Sequence, residues 1–95
     1  MTRVEIYTKS WCGFSQRAKA LLDAKGVDYH EVDVTDDPRR EREMITRAGR
    51  RTVPQVFLDG AHMGGADDLA RLDAAGDLDR ILGTRTILPR TAEAA

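Results

Sequence analysis

A chain of 95 residues with a formal net charge of −1 makes one small domain with a modest core. Its 15 basic and 16 acidic side chains are interleaved rather than blocked, which argues against a nucleic-acid or polyanion surface. One cysteine excludes a disulfide-stapled secreted scaffold, the opening MTRVEIYTKS lacks a signal peptide's apolar stretch, and no segment approaches a membrane span, so a cytoplasmic protein is expected.

Val4-Glu5-Ile6-Tyr7 is short and rich in strand formers, and Thr8 to Trp11 reads as a loop. From Gly13 to Ala24 the period turns helical, with Phe14, Ala18, Leu21 and Leu22 on one face and Gly26 just past the end. Tyr29 to Val34 reads as a second strand. Asp36-Asp37-Pro38 is a strong helix start, because Asp37 can cap and Pro38 suits the first helical position. That helix turns Met44, Ile45 and Ala48 inward and ends at Gly49. Thr52 to Leu58 is a third strand, interrupted at its start by Pro54. Asp59-Gly60 is a hairpin signal that returns Ala61 to Met63 antiparallel. Gly64-Gly65 breaks the strand. A helix then starts at Ala66 or Asp67, with Asp67 as its cap, and runs to about Ala75 with Leu69 and Leu72 inward. Asp77 to Leu82 is a short last helix. Residues 84–95 show no period and are expected to be loose, which leaves 1–83 as the domain. The order β-α-β-α-β-β-α-α predicts an α/β fold. Its first two strands are parallel, its last two form a hairpin, and helices cover both faces of a four-stranded mixed sheet.

The only cysteine, Cys12, falls in Cys12-Gly13-Phe14-Ser15, between the first strand and the first helix. A helix N-terminus presents unpaired N–H groups and a partial positive charge, which favour thiolate over thiol. A thiolate there can attack a disulfide or bind a soft metal. With no second cysteine the chain cannot close an internal disulfide, so a resolving thiol comes from outside. Lys9 is a cation three residues earlier, and Gly13 lets the backbone approach a ligand closely. Ser15 reads as a helix-start hydrogen bond. Phe14 reads either as a wall of a binding site or as a core residue at helical spacing. His30 and His62 show no ligand spacing with each other or with Cys12 and read as structural or surface residues.

Tyr7-Thr8-Lys9-Ser10-Trp11-Cys12-Gly13-Phe14-Ser15, Thr52-Val53-Pro54-Gln55 and Gly64-Gly65-Ala66-Asp67-Asp68, in this order and spacing, resemble a glutaredoxin over residues 3–82. The resemblance implies a thioredoxin-like fold with glutathione as co-substrate. Cys-Gly-Phe-Ser is similar to the monothiol members that hold iron–sulfur clusters with glutathione. The short Thr8-Lys9-Ser10-Trp11 loop, and Gly49-Arg50-Arg51 in place of a Trp-Pro pair, resemble small bacterial dithiol members instead.

Carried over residue by residue, the resemblance makes Cys12 the nucleophile, assisted by Lys9. It puts Lys9, Cys12, Phe14, Thr52, Val53, Pro54, Gly65, Ala66 and Asp67 around glutathione. Ser15 takes the place of a resolving cysteine, so dithiol chemistry is absent. A cis peptide is implied before Pro54, beside Cys12, so that Val53 offers its N–H and C=O to a peptide ligand. The helix after Gly64-Gly65 is implied to hold the γ-glutamyl carboxylate, with Asp67 on the ammonium group. Ala66 departs from the Cys or Ser often found there, and Arg50 and Arg51 can reach the glycyl carboxylate. The activity implied is monothiol reduction of protein–glutathione mixed disulfides, with glutathionylated or disulfide-containing proteins as partners. Nucleic acid and membrane are not expected as partners. The alternative is a carrier: a 2Fe–2S cluster ligated by Cys12 and glutathione, bridging a homodimer that is monomeric without the cluster.

Overall fold

The computed structural model describes residues 3–83, so the tail at 84–95 lies outside the described residues. Eight elements follow in the predicted order: β1 (Val4–Thr8), α1 (Gly13–Ala24), β2 (His30–Asp33), α2 (Pro38–Ala48), β3 (Gln55–Leu58), β4 (Ala61–Gly64), α3 (Ala66–Ala74) and α4 (Asp77–Leu82). The sheet runs β2-β1-β3-β4. β1 and β2 are parallel, and the β1–β3 and β3–β4 pairs are antiparallel.

Strand alternation divides the core into two layers. Val4 and Ile6 of β1 and Val56 of β3 face Ala18 and Leu22 of α1, Leu69 of α3, and Leu78 and Leu82 of α4. Tyr7 and Phe57, on the opposite face of the same strands, meet Met44 of α2 and Val34. One polar network ties α2 to the second layer. Tyr7 Oη donates to Glu43 at 2.5 Å, while Arg47 donates to Tyr7 Oη at 2.9 Å and to Glu5 at 3.1 Å. The Arg47 guanidinium also lies 4.0 Å from the Phe57 ring centroid, so its charge is both paired and stacked.

The local stop and start signals act as their chemistry requires. Asp37 accepts from Arg40 N at 3.1 Å with Pro38 behind it, capping α2. Asp59 and Gly60 have φ of 50° and 85°, the left-handed pair that a two-residue hairpin needs.

Three expectations are corrected. The third strand begins at Gln55 rather than Thr52, because Pro54 has no N–H to give the ladder. The second strand contracts to His30–Asp33. On α1 the inward stripe is Ser15, Ala18 and Leu22, whereas Phe14 is half exposed. Residues 14 and 15 both lie within one turn of Ala18, so spacing alone does not choose between them. The loop before the helix chooses Ser15, whose hydroxyl meets the backbone there.

Candidate active site

Cys12 is the N-cap of α1, with extended φ and ψ of −92° and 118°. Its N–H donates to Lys9 O at 3.1 Å, and its C=O accepts from Gln16 N at 3.2 Å, so the loop and the helix fix the residue from both sides. The side chain is 9% exposed, and its thiol points at the Val53 carbonyl, 3.8 Å away.

The first influence on this thiol is burial, which disfavours the anion. The Ser15 N–H, the Ser15 hydroxyl and the Phe14 N–H oppose it, and Lys9 adds a favourable charge; together they bring the Cys12 pKa below its ordinary value. The helix-start hydrogen bond read for Ser15 is present: its fully buried hydroxyl accepts from Lys9 N at 3.3 Å, and it also interacts with the Cys12 sulfur. Lys9 is held 2.9 Å from Glu41 of α2 and 5.5 Å from the Trp11 ring centroid, so it acts on the sulfur through space.

Beside the sulfur opens a cleft of about 250 Å³. Phe14 forms one wall, and Thr52, Val53 and Pro54 form the second. The Val53–Pro54 peptide is cis, as the resemblance implied. Gly65, Ala66 and Asp67 form the third wall, and Arg50 and Asp68 complete it. The structure therefore gathers Phe14, Thr52, Val53, Pro54, Gly65, Ala66 and Asp67 around one space. Cys12 stands at its edge through Val53, and Lys9 lies outside the lining.

The second and third walls touch. A Cβ on Gly65 would lie 3.1 Å from the Pro54 carbonyl oxygen, and a Cβ on Gly64, at φ 112°, would collide with the Asp68 side chain. Gly65, not Asp67, is the N-cap of α3. The acid that closes this end is Asp68, whose Oδ2 accepts from Gly65 N at 2.8 Å and from Arg50 at 2.9 Å. Those two bonds, the backbone one first, hold the Asp68 carboxyl below its usual range. Asp68 is the site residue that sequence reasoning left without a role. The signal was present in an acid three residues after the helix-capping position. Arg51 is exposed and lies outside the lining, and His30 is exposed on β2. His62 packs on Phe57 with ring centroids 5.1 Å apart.

The cleft thus offers an edge of backbone, a guanidinium, a helix N-terminus and a carboxylate within one short span, with the Cys12 sulfur at its edge. That set suits a small zwitterionic peptide carrying a thiol. The family model for glutaredoxin matches residues 4–63. Glutaredoxin 3 of Escherichia coli strain K12 is 52% identical over 82 residues, covering 86% of this chain and 99% of that protein. A glutaredoxin of Pseudomonas aeruginosa is 45% identical, covering 86% and 98%. Among solved structures, the buckwheat glutaredoxin–glutathione complex superposes with a TM-score of 0.79 at 28% identity, over 86% of this chain and 77% of that one. The solution structure of glutaredoxin from Brucella melitensis gives 0.78 at 43% identity, over 93% and 96%. With its strand order, its cis-proline wall and its N-capping cysteine in place, this chain belongs to the glutaredoxin family of thiol oxidoreductases.

Proposed function

We propose that the protein is a glutathione-dependent oxidoreductase that removes glutathione from protein–glutathione mixed disulfides by a single-thiol route. The observation that carries this reading is Cys12. It is the only cysteine in the chain, its pKa is lowered, and it sits at the edge of a cleft with peptide-binding chemistry.

In the first half-reaction the Cys12 thiolate attacks the glutathione sulfur of the mixed disulfide. A Cys12–glutathione disulfide forms, the original S–S bond breaks, and the protein thiolate leaves with the electron pair and takes a proton from solvent. In the second, the thiolate of another glutathione attacks the glutathione sulfur on Cys12. Oxidised glutathione departs and the Cys12 thiolate is restored. One protein cysteine suffices, and Ser15 has no sulfur with which to intercept the intermediate.

Glutathione orientation falls to the walls. Val53 pairs with its cysteinyl backbone, the α3 N-terminus with Asp67 takes its γ-glutamyl end, and Arg50 takes its glycyl carboxylate. Thr52, Pro54, Gly65 and Ala66 shape the surface, Phe14 covers one side, and Lys9 supports the thiolate. The superposition on a glutaredoxin solved with glutathione supports glutathione as the ligand. The protein is proposed to work in the cytoplasm.

The cluster-carrying alternative draws two of four sulfur ligands from a pair of Cys12 residues and two from glutathione. Among the described residues no group of three or more His, Cys, Asp and Glu side chains could hold a metal, so one chain does not supply a cluster site. The test is turnover of a glutathionylated peptide by cluster-free protein, with reduced glutathione and a reductase-coupled readout. Rapid Cys12-dependent turnover is expected. Negligible turnover by folded protein that still binds glutathione would overturn the enzyme reading and leave the carrier.

A further inference from the structure

Gln55 opens β3, directly after the cis-proline wall, and is a fully buried polar side chain. A buried amide must satisfy both ends or cost stability. Its Nε2 donates to the Thr52 carbonyl at 2.9 Å and contacts Thr52 Oγ1 at 3.1 Å. A backbone carbonyl only accepts, so this contact fixes the amide's orientation and leaves Oε1 pointing the other way. There it meets His62 Nε2 at 2.6 Å. Because Oε1 only accepts, His62 must carry its proton on Nε2. The chain of donors therefore runs one way, from His62 through Gln55 to Thr52.

The two ends of this chain belong to different walls of the cleft. Thr52 is in the wall that presents Val53. His62 lies on β4, just before the Gly64-Gly65 turn that begins the third wall. Between them β4 carries an irregularity: Phe57 pairs with His62, whereas Val56 pairs with Gly64, so Met63 is an extra residue in the ladder. The ladder is irregular at Met63 and resumes at Gly64, one residue before the third wall, and the His62–Gln55 bond links the two strands beside that irregularity.

We infer that Gln55 and His62 are positioning residues for glutathione: a brace, buried at its Gln55 end, that sets the separation of the Thr52–Pro54 wall from the Gly64–Ala66 wall. Neither side chain lines the cleft. They act through the groups that do, as the supporting shell of a preorganised site. The inference rests on the glutathione reading above and adds residues to it.

The test uses the full chain and S-methylglutathione, a thioether that binds without exchanging sulfur. Gln55→Leu removes both ends of the brace at similar volume. His62→Phe keeps an aromatic ring against Phe57 and removes the ring nitrogens, the Nε2–H donor to Gln55 among them. Affinity by titration calorimetry is expected to fall about tenfold in Gln55→Leu, by analogy with the loss of outer-shell partners at metal sites, and by a smaller factor in His62→Phe. The alkylation rate of Cys12 by iodoacetamide, without ligand, is expected to stay at the wild-type value, because the donors to its sulfur are Ser15 and Phe14.

If both folded variants bind as the wild type does and only their melting temperatures fall, the bonds serve stability alone and the proposal is overturned. A parallel loss of alkylation rate overturns it too, since the effect would then reach the thiol rather than the walls. Should Gln55→Leu fail to fold, His62→Phe decides by the same two readouts. Absence of binding by the wild type sinks the glutathione reading and the brace with it, whereas wild-type binding retained by both variants sinks the brace alone.

Discussion

Ser15→Ala isolates the hydroxyl beside the Cys12 sulfur. The substitution leaves the Ser15 and Phe14 N–H groups in place and removes one donor to the Cys12 sulfur. A hydrogen bond to an ionised group is worth about 1.5–3 kcal/mol, and the lower end applies here because two backbone donors remain. At about 1.4 kcal/mol per factor of ten, losing it tips the balance from thiolate toward thiol about tenfold, and the Cys12 pKa is expected to rise. Reactivity then changes in two opposing ways. Well below the pKa the thiolate fraction falls about tenfold, while the more basic sulfur is roughly threefold more nucleophilic, so exchange with a small disulfide slows about threefold. Well above it only the second effect remains, and the variant reacts about threefold faster. The two pH–rate curves must cross. Ultraviolet thiolate absorbance against pH gives the shift, and stopped-flow exchange gives the crossing. Superimposable titrations in a folded Ser15→Ala protein would refute the claim that this hydroxyl stabilises the thiolate.

Cys12→Ser is expected to abolish turnover of a glutathionylated peptide while leaving the circular dichroism spectrum unchanged; residual turnover at the wild-type rate would remove the nucleophile from the mechanism. Arg50→Ala takes a half-exposed guanidinium from the cleft and is expected to cost about 1 kcal/mol, or roughly fivefold in KM for the glutathionylated substrate, with kcat little changed. A fall in kcat alone would contradict a ground-state role. Acid is expected to weaken the fold through Glu31, Glu43 and Asp68, whose carboxyls are held low first by Thr8, Tyr7 and the Gly65 N–H respectively. Their contribution is complete above the unfolded carboxylate pKa of about 4 and is lost as pH falls through the depressed folded values. Urea melts at descending pH check the sign, and a midpoint constant from neutrality into strong acid would contradict it.

Much of this architecture is legible locally. Asp37-Pro38 and Asp59-Gly60 act through bonds and dihedrals within a few residues, and the sequence spells such signals directly. The third wall shows where local reading fails. Asp67 and Asp68 are both acids in a first helical turn, and which one closes onto Gly65 depends on where the helix begins. The same ambiguity moved Phe14 outward and Ser15 inward, because one turn of helix leaves both orientations open until the loop backbone is present. Lys9 finds Glu41 across 32 positions of chain, and His62 finds Gln55 across a strand irregularity. Partners of that kind are set by strand order and register, which no spacing rule encodes. The cleft was readable only because three separated motifs pointed to one family. Its chemistry follows from their folding together, not from any one of them.

Trp11 is the only tryptophan in the chain, is 71% exposed, and immediately precedes Cys12. Indole emission is quenched by neighbouring sulfur and responds to nearby charge, so Trp11 emission is expected to report the state of the adjacent Cys12. Under the proposed single-thiol route, thiolate, thiol and mixed disulfide at position 12 are then expected to differ in the brightness of a single fluorophore, so that each half-reaction could be followed in unlabelled protein.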